Sequence, residues 1–299
     1  MRVELLILAL AFLLAFQVCS ASSLQIKSWA IQLQDADPDL IAKSNFSSIV
    51  MDYSRDGSED ERYTKEEIQK IKDAGIVPIA YISIGEAEDY RFYWKDEWFY
   101  NKPEWLDKEN PEWEGNYAVK YWHEEWKRIV FQYLDKIIEQ GFCGVYLDRV
   151  DAFESYNKSE KEMAIKMIDF IVEISDYCRN KTNGSFYIIP QNGERLLDYD
   201  DGRLLNVISA WAVEDLFYNG LKENPKDEVM ERISYLDKIL KAGKPVLSVD
   251  YVDDGSNSKE NLERIKDYRN KALKMGLMPY AALCDRELDE LNVIEGLQP

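Results

Sequence analysis

Acids and amides recur where short apolar runs of this chain end, and these are the residues with which chemistry could be done. Val145-Tyr146-Leu147 leads directly to Asp148, with Asp151 three residues on. Ser48-Ile49-Val50-Met51 leads to Asp52, and the run through Tyr81 and Ile82 leads to Glu86, Glu88 and Arg91. Further on, Ile188-Ile189-Pro190 delivers Gln191 and Asn192, Ala212-Val213 delivers Glu214 and Asp215, and Leu247-Ser248-Val249 delivers Asp250 and Tyr251. A strand buried on both faces is apolar throughout, so a carboxylate at its end is out of pattern. One such acid serves equally well as a cap or an ion-pair partner. Recurrence along the chain argues instead for one rim lined with carboxylates and amides, with Asp148 as its first candidate for chemistry.

The chain holds a single histidine, His123, which leaves no Ser-His-Asp triad or multi-histidine metal site within reach. Carboxylates alone suffice for glycoside hydrolysis: one protonates the leaving oxygen, and the other attacks or activates water. Crowded like charges raise one pKa and keep that group protonated as the acid. An acidic rim also suits Mg²⁺ or Ca²⁺, but Asp250-x-x-Asp253-Asp254-Gly255 lacks calcium-loop spacing. Neither a metal nor a cofactor is expected.

The runs predict eight strands: 29–33, 48–51, 76–82, 145–147, 186–189, 207–213, 245–249 and 277–283. Helical patterns fall between most of them. Thr64 with Glu67, Ser159 with Glu162, and Asn257 with Glu260 read as capping boxes. Trp122, Trp126, Ile129, Val130, Tyr133, Leu134 and Ile137 share a helix face that Gly141 ends. Strands alternating with helices imply parallel pairing, and eight of them in a chain of this length predict an α/β fold, a single (β/α)8 TIM barrel. Residues 86–121 break the rhythm and read as a long aromatic-rich loop after strand three, functional by its length. Its Tyr93, Trp94 and Trp98 are candidates to pack on sugar rings, whereas Trp122 and Trp126 read as core. The tail beyond Leu288 is expected to pack outside the barrel.

The formal charge is −19, which argues against a nucleic-acid partner and suits a cationic ligand. Residues 1–21 read as a secretory signal peptide, with Arg2 before an apolar run and Cys19-Ser20-Ala21 as small residues for cleavage. Residues 22–299 then form the catalytic domain, secreted, periplasmic or at the cell surface, with no stable membrane span. Cys143, Cys178 and Cys284 are an odd, widely spaced set and read as small core residues rather than a disulfide framework.

Four stretches resemble the endo-α-1,4-polygalactosaminidases of glycoside hydrolase family 114. They are 81–88 (Tyr81-Ile82-Ser83-Ile84-Gly85-Glu86-Ala87-Glu88) with Arg91, 141–151 around Leu147-Asp148-Arg149-Val150-Asp151, Pro190-Gln191-Asn192-Gly193, and Ala212-Val213-Glu214. The resemblance implies a secreted or surface (β/α)8 barrel cleaving α-1,4-linked galactosamine or N-acetylgalactosamine polymers. By motif, its catalytic pair falls on Asp148, as nucleophile or base, and Glu214, as acid. Asp52, Tyr81, Glu86, Glu88, Arg91, Asp151, Gln191, Asn192, Asp250 and Tyr251 are the candidates for substrate binding. The chain departs from the family pattern at Arg149, where Asn is frequent, and in the aromatic segment after strand three. Two other readings compete: a non-catalytic saccharide-binding barrel and a metal-dependent phosphohydrolase.

Overall fold

The computed structural model describes residues 26–156 and 159–299; the predicted leader, residues 1–21, lies outside them. Eight parallel strands run in chain order: β1 (Trp29–Gln32), β2 (Ser48–Met51), β3 (Val77–Ser83), β4 (Gly144–Asp148), β5 (Tyr187–Pro190), β6 (Trp211–Glu214), β7 (Val246–Asp253) and β8 (Met278–Leu283). Strands β1 to β5 form one ladder and β6 to β8 another. A bridge between Gln191 and Ala212 joins them. At the other seam, β8 meets β1 through the indole of Trp29, which donates to Met278 O at 2.8 Å. The barrel is the predicted (β/α)8 fold.

The tail does more than pack outside. Leu288 O accepts the backbone N–H groups of Leu33 and Gln34, and the buried side chain of Gln298 bonds both the N–H and the C=O of Ala281. The tail thereby pairs backbone groups of β8 and of the residues just after β1, the pairing that amides withdrawn from water require.

Helices α1 (Pro38–Ile41), α2 (Lys65–Asp73), α3 (Glu124–Gln140), α4 (Glu160–Lys181), α5 (Arg203–Val207), α6 (Lys226–Lys241) and α7 (Lys259–Lys274) cover the strands. The Thr64–Glu67 capping box is present. Gly141 ends α3 at φ 94°, a conformation that glycine adopts at little cost. The lone His123 is the N-cap of α3, its Nδ1 accepting the N–H of Glu125.

Four expectations need correction. Strand six is shorter than 207–213: residues through Val207 belong to α5, because a continuous apolar run carries no period to separate helix from strand. Helix α7 is capped by Ser258, not Asn257, and Ser159 makes no side-chain cap bond. Cys143 is disulfide-bonded, whereas Cys178 and Cys284 are free. Finally, residues 86–121 are not a plain loop. Strands Glu86–Glu88, Asn116–Val119 and Leu106–Glu109 make a small antiparallel sheet over the barrel mouth. A relay of rings glues it to α3: Trp94 to Trp98 (5.3 Å), Trp98 to Trp105 (5.0 Å) and Trp105 to Trp126 (5.1 Å).

Candidate active site

The C-terminal strand ends open on a cleft of about 490 Å³, the size of a small-ligand site. Parallel pairing places its acids. Asp148, the last residue of β4, lies in register with Ser83 at the end of β3, and Glu214 at the end of β6 lies in register with Val249 of β7. Among the described residues, nine carboxylates line the cleft: Asp52, Asp56, Glu86, Glu88, Glu114, Asp148, Asp151, Glu214 and Glu287. Against them stand three guanidiniums, those of Arg91, Arg149 and Arg286. Each of the three is already ion-paired to protein carboxylates: Arg91 with Asp52 and Glu88, Arg149 with Glu86 and Asp151, Arg286 with Asp215. The field inside the cleft is therefore negative.

Asp148 Oδ2 accepts the hydroxyl of Tyr81 at 2.7 Å, and Oδ1 accepts the backbone N–H of Arg149 at 2.7 Å. Burial pushes its carboxyl above the usual range, with Asp151 adding to the effect, while the Tyr81 hydroxyl and Arg149 oppose it. Glu214 sits in a different setting. Its Oε2 accepts Gln191 Nε2 at 2.8 Å, and its Oε1 accepts the hydroxyl of Tyr251. Burial, helped by the nearby charges of Asp148 and Asp215, pushes Glu214 up to about 7, against the Tyr251 hydroxyl and Arg286. Two carboxyls that feel each other's charge thus stand in one cleft, one of them half-protonated near neutrality. That is the asymmetry acid–base catalysis needs.

The backbone around this pair is unusual. Arg149, Asn192 and Asp215, the residues after Asp148, Gln191 and Glu214, all have φ between 50° and 60°. Non-glycine residues avoid this left-handed region, although Asn and Asp tolerate it best. Arg149, neither Asn nor Asp, is the costly member of the set. The turn is made possible by Gly85: a Cβ there would sit 2.3 Å from Arg149 O and 2.7 Å from Ala152 Cβ. Gly85→Ala is expected to destabilise the fold by about 1–3 kcal/mol, read by denaturant unfolding. A loss below about 0.5 kcal/mol would mean that the turn can shift.

The same cleft holds a cluster of paired charges. Arg91 bonds Asp52 at 2.7 Å and Glu88 at 2.7 Å, and the hydroxyl of Tyr90 donates to Glu88 at 2.7 Å. Glu86 accepts Asn110 Nδ2 at 3.0 Å and pairs with Arg149 at 3.2 Å. Asn192 Oδ1 accepts the N–H of Glu214 at 3.0 Å and is itself held by Arg232 at 3.1 Å, so it orients the acid through the backbone.

Of the twelve sequence-predicted residues, eleven line this cleft: Asp52, Tyr81, Glu86, Glu88, Arg91, Asp148, Asp151, Gln191, Asn192, Glu214 and Tyr251. Asp250 does not, which corrects its expected contact with substrate. It is fully buried and accepts the backbone N–H groups of Leu216, Phe217 and Tyr218 at 2.8–2.9 Å. Asp250 therefore ties down the turn after Glu214. Asp250→Asn would set an NH₂ group against one of those amides, at a cost of about 1–3 kcal/mol. The expected signature is a lower melting temperature; an unshifted melt would show the anchor to be dispensable.

Tyr93, Trp94 and Trp98 are likewise absent from the cleft lining and belong to the ring relay. Trp113 and Tyr90 line the cleft instead. Sequence reasoning missed Arg286, Glu287 and Leu288, which reach the cleft from the tail; no period or strand end marks them. Among the described residues, no group of three or more His, Cys, Asp or Glu side chains is arranged to hold a metal ion. Nor is any described helix long and apolar enough to cross a membrane.

Comparison with known proteins adds to this geometry. The family model for glycoside-hydrolase family GH114 matches residues 15–297. An uncharacterized protein of Methanocaldococcus jannaschii is 65% identical over 268 residues, covering 88% of this chain and 78% of that one. One from Thermotoga maritima, also uncharacterized, is 55% identical over 278 residues, covering 91% and 85%. Among solved structures, the glycoside hydrolase domain of PelA from Pseudomonas aeruginosa shares the fold at TM-score 0.70 and 18% identity, over 90% of this chain and 98% of that domain. Aspergillus fumigatus Ega3, in complex with galactosamine, shares it at TM-score 0.65 and 16% identity, over 89% and 94%.

Proposed function

This chain belongs to glycoside-hydrolase family GH114, and we propose that it cleaves α-1,4-linked galactosamine or N-acetylgalactosamine polysaccharide with Asp148 and Glu214 as its catalytic pair. The observation that carries the proposal is the unequal setting of the two carboxyls in one acidic cleft. Glu214, held near pKa 7 by burial and by the charge of Asp148, protonates the departing glycosidic oxygen. Asp148, fixed by Tyr81 and the Arg149 amide, acts on the anomeric carbon, as nucleophile or through a water it activates. The anomer first released, read by NMR, separates those two routes.

The substrate class rests on charge. A cleft with nine carboxylates, whose three guanidiniums are already paired, favours a polymer carrying protonated amines. Ega3, which shares the fold, holds galactosamine in its crystal structure, and that supports an amino sugar here. Action outside the cytoplasm, in the medium or at the cell surface, is part of the proposal. It is supported by the leader-like residues 1–21; cell fractionation with an antibody checks it.

The direct test is mass spectrometry of products from an α-1,4-galactosamine polymer, run with wild type, Asp148→Asn and Glu214→Gln. Short oligomers from wild type alone, with or without chelator, support the proposal. Intact polymer that remains bound to wild type would leave a saccharide-binding barrel and withdraw both catalytic roles.

A further inference from the structure

The small antiparallel sheet over the barrel mouth brings two half-exposed aromatic rings to one edge of the cleft. Tyr90 follows the strand Glu86–Glu88, and Trp113 occupies the turn between Leu106–Glu109 and Asn116–Val119. The two segments are stitched together: the N–H of Asp89 donates to Gly115 O at 2.9 Å, and a Cβ on Gly115 would sit 2.7 Å from Asp89 Oδ1. Tyr90 and Trp113 both line the cleft, at 46% and 52% exposure. Large apolar groups left open beside a site ask for a ligand surface.

Tyr90 is also held rigidly. Its hydroxyl is bonded to Glu88, and the guanidinium of Arg91 stands 4.9 Å from its ring centroid. Gly57 packs against its edge so closely that a Cβ there would lie 2.6 Å from the ring. A ring fixed in this way loses little freedom on binding. Asp56, next to Gly57, and Glu114, next to Trp113, line the same cleft. Aromatic surface beside carboxylates is the chemistry that holds an amino sugar: C–H faces pack on the rings, and the ammonium is drawn to ring faces and to anionic oxygens.

We propose that Tyr90 and Trp113, with Asp56 and Glu114, form an outer subsite that stacks one hexosamine unit of the polymer and takes its protonated amine. Occupancy of this subsite sets a preference for long, deacetylated chains. The inference rests on the polysaccharide reading above. It gives the aromatic segment a specificity role separate from bond cleavage, which belongs to Asp148 and Glu214.

The test compares kcat and KM on galactosamine trimers and octamers, each fully deacetylated or fully N-acetylated, for wild type, Trp113→Ala, Trp113→Tyr and Glu114→Gln. Wild type is expected to prefer octamer to trimer. Trp113→Ala should cut that preference about fivefold to tenfold, through KM rather than kcat, and Trp113→Tyr should restore most of it. Glu114→Gln should lower the preference for deacetylated over acetylated octamer and flatten its salt dependence. Equal losses on trimer and octamer in Trp113→Ala, or a fall confined to kcat, would overturn the subsite while wild-type cleavage leaves the functional reading standing. Wild type that neither cleaves nor binds these oligomers would overturn both.

Discussion

Replacing Glu214 by Gln is expected to lower kcat by about 10²–10⁴-fold, the range for removing one positioned proton-transfer group. The cleft should stay formed, because Glu214's backbone is held independently by Asn192 and Arg232. Asp148→Asn should cost a similar factor, and the double variant little more than either, since the two groups act as a unit. In wild type, kcat should fall as pH rises through about 7, where Glu214 loses its proton. The same pKa has a consequence for stability that does not depend on knowing the substrate. The folded value of about 7 lies above the ordinary 4.5. Between the two, the native state holds more protons than the unfolded one, so stability falls as pH rises through that window. Glu214→Gln removes the titrating group and should gain stability relative to wild type at pH 8, the gain vanishing below about pH 4.5. Denaturant unfolding at both pH values reads this. An unchanged difference between them would mean that Glu214 is not held protonated, and its assignment as the acid would fall even if activity is lost.

Why Asp148 was legible in the sequence and Asp250 was misread is a matter of side-chain alternation. Both are acids at the end of an apolar strand. Strands buried on both faces carry no polar alternation to tell inside from outside. In β7, Val249 and Tyr251 face the cleft, and Asp250 between them points the other way, onto the amides of residues 216–218. Only the register supplies that fact. The strand cores themselves were readable, because Ser48–Met51 or Tyr187–Pro190 bury nearly every side chain and so read as apolar runs bounded by polar residues. The aromatic segment was unreadable for a related reason. Its strands are three or four residues long, too short for a period to show. Arg286 reaches the site from a tail segment with no pattern, at φ 67°, yet its guanidinium lies 4.3 Å from the Tyr251 ring that bonds Glu214. Contributions of that kind depend on where the chain returns in space, which local sequence does not encode.

Arg91→Leu is expected to cost about 3–5 kcal/mol of stability, the penalty for leaving buried charges without their partner. The Arg91 side chain is 1% exposed, and its partners Asp52 and Glu88 are 6% and 3% exposed. Burial already pushes Asp52 up against the pull of Arg91. Without the guanidinium, both carboxylates lose their counter-charge, and folding must either desolvate two anions or take up protons. Protons bound on folding make stability fall as pH rises above the ordinary carboxylate range, so the gap to wild type should be widest near pH 8 and narrow towards pH 4. A gap that stays constant with pH would assign the loss to packing rather than to charge. Neutralising the partners separates the terms again: Asp52→Asn and Glu88→Gln added to Arg91→Leu should recover much of the stability, because no unpaired charge remains. They should not recover the outer subsite. Arg91 backs the ring of Tyr90 at 4.9 Å, and Glu88 holds its hydroxyl, so the triple variant should fold and yet discriminate poorly between trimer and octamer. A triple variant that folds and keeps full chain-length preference would show that Tyr90 needs no such backing.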